Sequence, residues 1–200
     1  MGIQAVREAY AARVREYVDA VGSMEDADVI DQKYVLAWSA SLRGKVLDVG
    51  CGPGQWTNFL HGHGVDVEGV DPVPGFIADA RSRYPNARYR MGRAEDLQTS
   101  DASLGGVLAW YSLIHTDPAE IHGPLAEFAR CLMPGGGLAL GFFVGANLAV
   151  FDHAIAPAYA WPVDQLCAEV ERAGFEILET QSRPGPPGRT YGALIARRLG

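Results

Sequence analysis

Cysteine is scarce in this chain: Cys51, Cys131 and Cys167 lie far apart and form no CxxC pair. That spacing excludes a disulfide framework and a cysteine-built metal centre, and it fits a reducing compartment. Long apolar runs are missing too. None reaches the roughly 20 residues needed to cross a bilayer, and Met1-Gly2-Ile3-Gln4 leads into a helical pattern rather than a signal peptide. Positive charge is the minority sign, with Lys+Arg 17 against Asp+Glu 24 and a formal net charge of −7. An acidic domain repels phosphate backbones, so nucleic acid is a poor partner. Repeats and low-complexity segments are absent. The remaining expectation is a cytoplasmic protein of 200 residues, 48% hydrophobic and 20% charged. That is enough chain for one α/β domain with a full core.

Glycine, by contrast, is concentrated at one point. Val46-Leu47-Asp48-Val49 reads as a short buried strand, and Gly50-Cys51-Gly52-Pro53-Gly54 as a tight turn feeding a helix. Glycine suits a place where the backbone turns sharply and a ligand approaches without meeting a Cβ. Strand, glycine turn and helix N-terminus together make a nucleotide-type site. Around it the pattern alternates. Strands are expected over 45–49, 65–70, 87–91, 104–110 and 138–144, with helices over 55–61, 75–84 and from Asp117-Pro118 to about 133. A helix over 163–173 precedes two strands, 175–181 and 191–197, around a Pro/Gly-rich loop at 183–189. The stretch 145–161 has no clear period. Five βα units imply parallel strands, and the helix-less last pair implies a hairpin with one antiparallel strand. The expected fold is a doubly wound, Rossmann-like sheet of seven strands.

Upstream, apolar residues recur at helical spacing over 3–21, including Tyr10 and Tyr17, and again over 28–42. These helices form an N-terminal cap over residues 1–43, on a core of residues 44–200, in a single domain. Tyr10 and Tyr17 either pack on the sheet or meet a ligand.

The turn has the spacing G-x-G-x-G, whereas the dinucleotide fingerprint is G-x-G-x-x-G. Pro53 removes one backbone donor at the helix start, and no second mononucleotide half follows. A ligand without phosphates fits better. Asp71 ends the second strand, where a carboxylate can accept from both hydroxyls of a ribose or cap the helix entered at Pro72. Arg93-Ala94-Glu95-Asp96-Leu97 follows the third strand at the same edge. Glu95 can accept from the amine of adenine; a solvated acidic turn is the alternative.

These residues resemble the class I S-adenosylmethionine-dependent methyltransferases. Residues 46–54 with Gln55-Trp56-Thr57 are similar to the family's first motif, and 67–71 to its acidic second one. Residues 92–97 resemble the adenine-contacting turn, 108–115 the fourth-strand motif, and 134–140 the proline-glycine entry into strand five. Tyr10 and Tyr17 match a tyrosine pair of the small-molecule branch that closes over the cofactor. The resemblance runs over nearly the whole chain. It implies the cofactor S-adenosyl-L-methionine, with S-adenosyl-L-homocysteine as product. By the same resemblance Gly50, Cys51, Gly52 and Gly54 pass under the amino-acid moiety, with Asp48 below and Trp56 beside the turn. Asp71 and Pro72 hold the ribose; Val73, Arg93, Ala94 and Glu95 surround the adenine; Ala109 and Trp110 end strand four near the sulfonium.

Methyl transfer from a sulfonium mainly requires orienting and desolvating the nucleophile, with a general base where the acceptor is protonated. His115 and Tyr111, beyond strand four, are the candidate catalytic residues, His115 as base. His115 capping a helix entry or packing as a neutral histidine is the rival reading. Acceptor contacts are expected from Tyr111, His115, His153, Tyr159 and Trp161. An Asn/Asp-Pro-Pro-Tyr pattern is missing at strand four, which with the acidic charge points to a small-molecule acceptor. No metal is expected, and the assembly is a monomer or homodimer. Two other classes share the pattern: a protein that binds the cofactor without methyl transfer, and a nicotinamide-dependent oxidoreductase.

Overall fold

The computed structural model describes residues 2–185 and 188–200. Two helices open it, α1 (Ile3–Ala12) and α2 (Val14–Val21), where periodicity predicts one. Arg13 leaves the helical region at φ −124° and ψ 24°, and its guanidinium donates to Glu16 and to the carbonyl of Ala154. On a straight helix Tyr10 and Tyr17 would stand about 10 Å apart along the axis. Across the break their rings meet edge-on, with centroids 5.3 Å apart. Helix α3 (Val29–Ala40) begins where the Asp28 carboxylate accepts from the Ile30 N–H at 2.8 Å. It buries Tyr34, Val35 and Trp38.

The sheet begins with β1 (Val46–Val49), buried at every residue because it lies at the centre with both faces covered. After α4 (Gln55–Gly62) come β2 (Val67–Asp71), α5 (Pro74–Arg83) and β3 (Arg88–Met91), then β4 (Leu104–Trp110), again buried throughout. Asp117 caps a single 3-10 turn, Pro118–Glu120, accepting from the Ala119 N–H at 2.9 Å as its place before Pro118 predicts. Helix α6 (His122–Cys131) leads into β5 (Leu132–Val144). Strands β3-β2-β1-β4-β5 are parallel in that order.

The stretch 145–161 adds to the seven expected strands. It holds a hairpin, β6 (Ala149–Phe151) and β7 (Ala158–Trp161), and brings the sheet to nine strands among the described residues. Strand β4 stops at the pair Trp110↔Gly141, and β7 takes over that edge of β5 through Phe143↔Ala160 and Val144↔Trp161. Strands of three and four residues show too little alternation to be read from sequence. Helix α7 (Val163–Arg172) then precedes the C-terminal hairpin, β8 (Phe175–Gly185) and β9 (Arg189–Arg198). β9 runs antiparallel to β5, as the missing crossover helix requires. The predicted loop at 183–189 lies partly outside the described residues; its described ends belong to β8 and β9.

Residues alternate between two cores along each central strand. Val107 and Ala109 face a cluster built on α6 and α7, with Leu125, Phe128 and Val170. Leu108 faces the other, with Tyr34 and Trp38 of α3 and Trp56 and Leu60 of α4. The packing leaves the C-terminal ends of β1, β2, β3 and β4 along one edge, under α1 and α2.

Candidate active site

Three glycines follow β1 with positive φ, 72° at Gly50, 52° at Gly52 and 85° at Gly54, and each is glycine for a different reason. A Cβ at Gly50 would lie 2.3 Å from Ser112 Cβ, and one at Gly54 2.6 Å from the Tyr89 ring. At Gly52 the nearest atom to such a Cβ is Tyr17 Cε1, 3.8 Å away. The backbone is bare there, roofed only by an aromatic ring.

Asp71 ties this turn to the end of β2. Its Oδ2 accepts from the Gly52 N–H at 2.9 Å and its Oδ1 from the Val73 N–H at 2.8 Å. Each carboxylate oxygen keeps a further lone pair. Burial pushes this carboxyl up to about 6, against the pull of those two N–H groups and of the Arg7 guanidinium. Asp48 lies deeper, accepting from Thr57 Oγ1–H at 2.6 Å, and burial raises it to about 7.

A cavity of about 120 Å³ opens above these groups. Its wall takes Gly50 and Gly52 from the turn, and Asp71, Pro72 and Val73 from the end of β2. Arg93, Ala94 and Glu95 close one side, Trp110, Tyr111 and His115 the other, and Tyr10 and Tyr17 the top. The structure thus brings together residues predicted from five separate stretches.

Other predicted residues lie elsewhere. Asp48, Cys51 and Trp56 border an adjoining cavity of about 650 Å³, which shares Tyr17, Gly50, Gly52, Trp110 and Tyr111 with the first. The Cys51 side chain packs with Ile77, Ala80 and Tyr89, and burial raises its thiol well above the usual range. Ala109 is fully buried in the core. His153 stands behind His115, ring centroids 5.2 Å apart. Tyr159 and Trp161 border a separate cavity of about 20 Å³ with Leu125 and Leu166, because β7 belongs to the sheet rather than to a loop over the site.

Sequence reasoning missed Arg7, Phe76 and Ser112 in the wall. Arg7 precedes Tyr10 by three residues, so helical spacing alone places both on one face. Ser112 left no such signal.

His115 is buried between two partners. Its Nδ1 lies 2.9 Å from the Pro157 carbonyl oxygen and its Nε2 2.8 Å from the Tyr10 hydroxyl. A carbonyl only accepts, so Nδ1 carries the proton. Nε2 then offers its lone pair and the Tyr10 hydroxyl donates to it. Burial lowers the His115 pKa and raises that of Tyr10, so both are neutral at pH 7. His153 is also held neutral, lowered to about 4 by burial and by the neighbouring His115 and Arg189.

Among the described residues, four that line the two cavities each hold a buried polar side-chain atom without a hydrogen-bond partner: Arg7 Nε, Ser112 Oγ, Trp110 Nε1 and Gln55 Oε1. Buried polar groups left unpaired are costly, so the space suits a ligand that offers both donors and acceptors. A zwitterionic amino acid joined to an adenosine does so. Beside the bare Gly52 backbone and Asp71, the donor set fits S-adenosylmethionine. Among the described residues no cluster of three or more His, Cys, Asp or Glu could hold a metal ion.

Fold and site together define a doubly wound domain with an adenosyl-type site at the carboxyl ends of its strands. A family model described as a methyltransferase domain matches residues 46–136. An uncharacterized methyltransferase of Synechocystis is 31% identical over 143 residues, covering 67% of this chain and 68% of that protein. An O-methyltransferase of Aspergillus nomiae is 32% identical over 155 residues, with coverages of 70% and 68%. Mycobacterial methyltransferases match too, but this chain covers only 38% of their length. Among solved structures, the Burkholderia thailandensis 1,6-didemethyltoxoflavin-N1-methyltransferase superposes with a TM-score of 0.82 at 22% identity. That match covers 99% of this chain and 89% of the other. The chain belongs to the class I S-adenosylmethionine-dependent methyltransferases.

Proposed function

We propose that this protein methylates a small molecule at the cavity beneath Tyr10 and Tyr17, with His115 as the general base. One observation carries this reading: the imidazole lone pair of His115 and the glycine turn with Asp71 lie in the wall of the same small cavity. S-adenosylmethionine, when bound, supplies an electrophilic methyl group on a sulfonium whose leaving group is neutral. The residues here have simpler tasks. Asp71, with Pro72, accepts the ribose hydroxyls; Val73 and Ala94 flank the adenine, and Glu95, beside Arg93, accepts from its amine. Gly50 and Gly52 leave the backbone open to the amino-acid moiety, above Asp48, Cys51 and Trp56. Trp110, with Ala109 beneath it, ends β4 beside the reacting atoms, and Tyr111 follows it.

Tyr111 and His115 also face the acceptor and His153 stands behind His115, whereas Tyr159 and Trp161, on the separate cavity, take no part in acceptor contact. Neutral His115 takes a proton from the acceptor at Nε2 once the acceptor displaces the Tyr10 hydroxyl from that lone pair, while Pro157 holds the other nitrogen. The aromatic walls exclude water, which raises the reactivity of the nucleophile. Relatives support a small acceptor. The Aspergillus protein is an O-methyltransferase, and the Burkholderia structure holds 1,6-didemethyltoxoflavin with S-adenosylhomocysteine. The net charge of −7 disfavours a nucleic-acid acceptor.

The test is an S-adenosylhomocysteine-release screen over a panel of small phenols, amines and heterocycles, run beside calorimetry with S-adenosylhomocysteine. Turnover of one panel member supports the reading. Tight cofactor binding with no product from any acceptor would assign the site to other chemistry.

A further inference from the structure

Apart from the Val73 and Gly52 N–H groups that it accepts from, buried Asp71 is surrounded by side chains that do not help it carry a charge. Tyr10 of α1, Tyr17 of α2, Asp48 of β1 and Cys51 of the turn all face it, and each is neutral or negative near pH 7. Arg93, in the same wall, pairs with Asp96 at 3.9 Å. The cation whose charge reaches Asp71 is Arg7, in the wall of the same cavity. Its side chain is only 18% exposed; Nη2 lies 3.5 Å from Glu95 Oε2, and Nε has no hydrogen-bond partner among the described residues. An arginine so placed has spare hydrogen-bonding capacity and a charge in a partly dry site.

The protonation state of Asp71 matters because two of its lone pairs are already used by Gly52 and Val73. A carboxylate retains an acceptor site on each oxygen; a protonated carboxyl gives one up to its own proton. We propose that Arg7 is a positioning residue of the cofactor site. Its guanidinium pairs with Glu95, faces Asp71, and keeps Asp71 as the carboxylate that accepts both ribose hydroxyls. This rests on the reading of Asp71 as the ribose acceptor. It gives the cap an electrostatic task besides covering the site: α1 carries the charge that readies Asp71.

The sign follows from burial, which already lifts Asp71 to about 6 with Arg7 in place. Removing an opposing charge raises a carboxyl further, so the acid limb of cofactor binding moves to higher pH. The experiment is calorimetric titration of the full chain with S-adenosylhomocysteine from pH 5.5 to 8.5, for wild type, Arg7→Met, Arg7→Lys and Asp71→Asn. Met keeps the apolar stem without the charge. For an upward move of about one pH unit, the Arg7→Met dissociation constant is about fivefold weaker at pH 6 and within about twofold of wild type at pH 8.5. Arg7→Lys stays near wild type throughout. An Arg7→Met variant that is unchanged, or weakened equally at every pH, overturns the proposal. If Asp71→Asn binds like wild type, the ribose reading of Asp71 itself fails, an outcome distinct from a flat Arg7→Met profile.

Discussion

Each of the two polar residues that decide the site has its geometry set by backbone, not by other side chains alone. The oxygens of Asp71 are fixed by the N–H groups of Gly52 and Val73, and His115 is fixed by the Pro157 carbonyl. Such anchoring pre-organises a group before a ligand arrives, which lowers the cost of binding. Asp71→Ala is therefore expected to weaken S-adenosylmethionine binding by about 1–3 kcal/mol through unpaired ribose hydroxyls. Calorimetry checks this; an unchanged affinity removes Asp71 from the site. The same substitution strands two buried N–H groups, so the melting temperature falls as well. For His115→Ala the expectation differs. Turnover falls by 100-fold or so, the usual worth of a positioned base, while S-adenosylhomocysteine affinity changes little. Equal turnover in wild type and variant makes His115 structural, held by Tyr10 and Pro157 for packing only. Tyr111 adds a further sign of function. It sits at φ 55°, a conformation costly for an aromatic residue and concentrated at binding and catalytic sites.

Among the elements, α1 and α2 differ from the rest of the chain in how little they bury: Val6 in α1, and no residue in α2. Polar contacts hold them instead. Arg7 reaches Glu95, Tyr10 reaches His115, and the Gln55 side chain donates to the Val21 carbonyl at 3.0 Å. Segments with few buried apolar contacts open at low free energy. Amide exchange in residues 3–21 should thus be fast in the free protein, and slow by at least about tenfold once S-adenosylhomocysteine ties the cap to the sheet. Exchange that is slow without ligand, matching β1 or β4, would mean the cap is rigid and does not gate the cavity. The elements also differ in legibility. β1 and β4 were readable because both faces are buried, so their apolar runs are continuous. The break at Arg13 was not, because periodicity carries through it unchanged, and what stabilises it is a contact with Ala154, 141 residues away. β6 and β7 were hidden for a related reason: they borrow an edge of β5 that becomes free only where β4 ends. In the site, the glycines, Asp71 and Glu95 were visible because they sit at fixed offsets from strand ends. Arg7 and the Tyr10–His115 contact depend on where the cap docks, which local sequence does not encode.

At the scale of the whole molecule, the site is a place where stability is given up for binding. Two carboxyls, Asp48 and Asp71, are buried at the centre of the sheet edge with pKa values of about 7 and about 6, raised chiefly by burial. A carboxyl titrates near 3.9 in an unfolded chain. Between these limits the folded state holds protons that the unfolded state has lost, so folding stability falls as pH rises and levels off only above the folded pKa. The two histidines act in the opposite sense. His153, lowered to about 4, and His115, also lowered, stay neutral in the fold while unfolded histidines charge below about 6.5. Their contribution grows with pH up to that point. Over roughly pH 4 to 6.5 the carboxyls and the histidines act on stability in opposite directions. Above 6.5 only the carboxyl penalty still changes, and Asp48 is its last source. Asp48→Asn keeps an oxygen for the Thr57 hydroxyl but has no charge to bury. The variant should melt above wild type at pH 8, and the difference should shrink steadily and vanish by about pH 3, below the unfolded carboxyl pKa, where Asp48 is protonated in both states. Thermal melts of the ligand-free protein at several pH values read this directly. A constant difference across the range would place the effect in packing around Thr57, and a variant less stable at pH 8 would mean that the Asp48 carboxylate is stabilised by its surroundings rather than strained by burial.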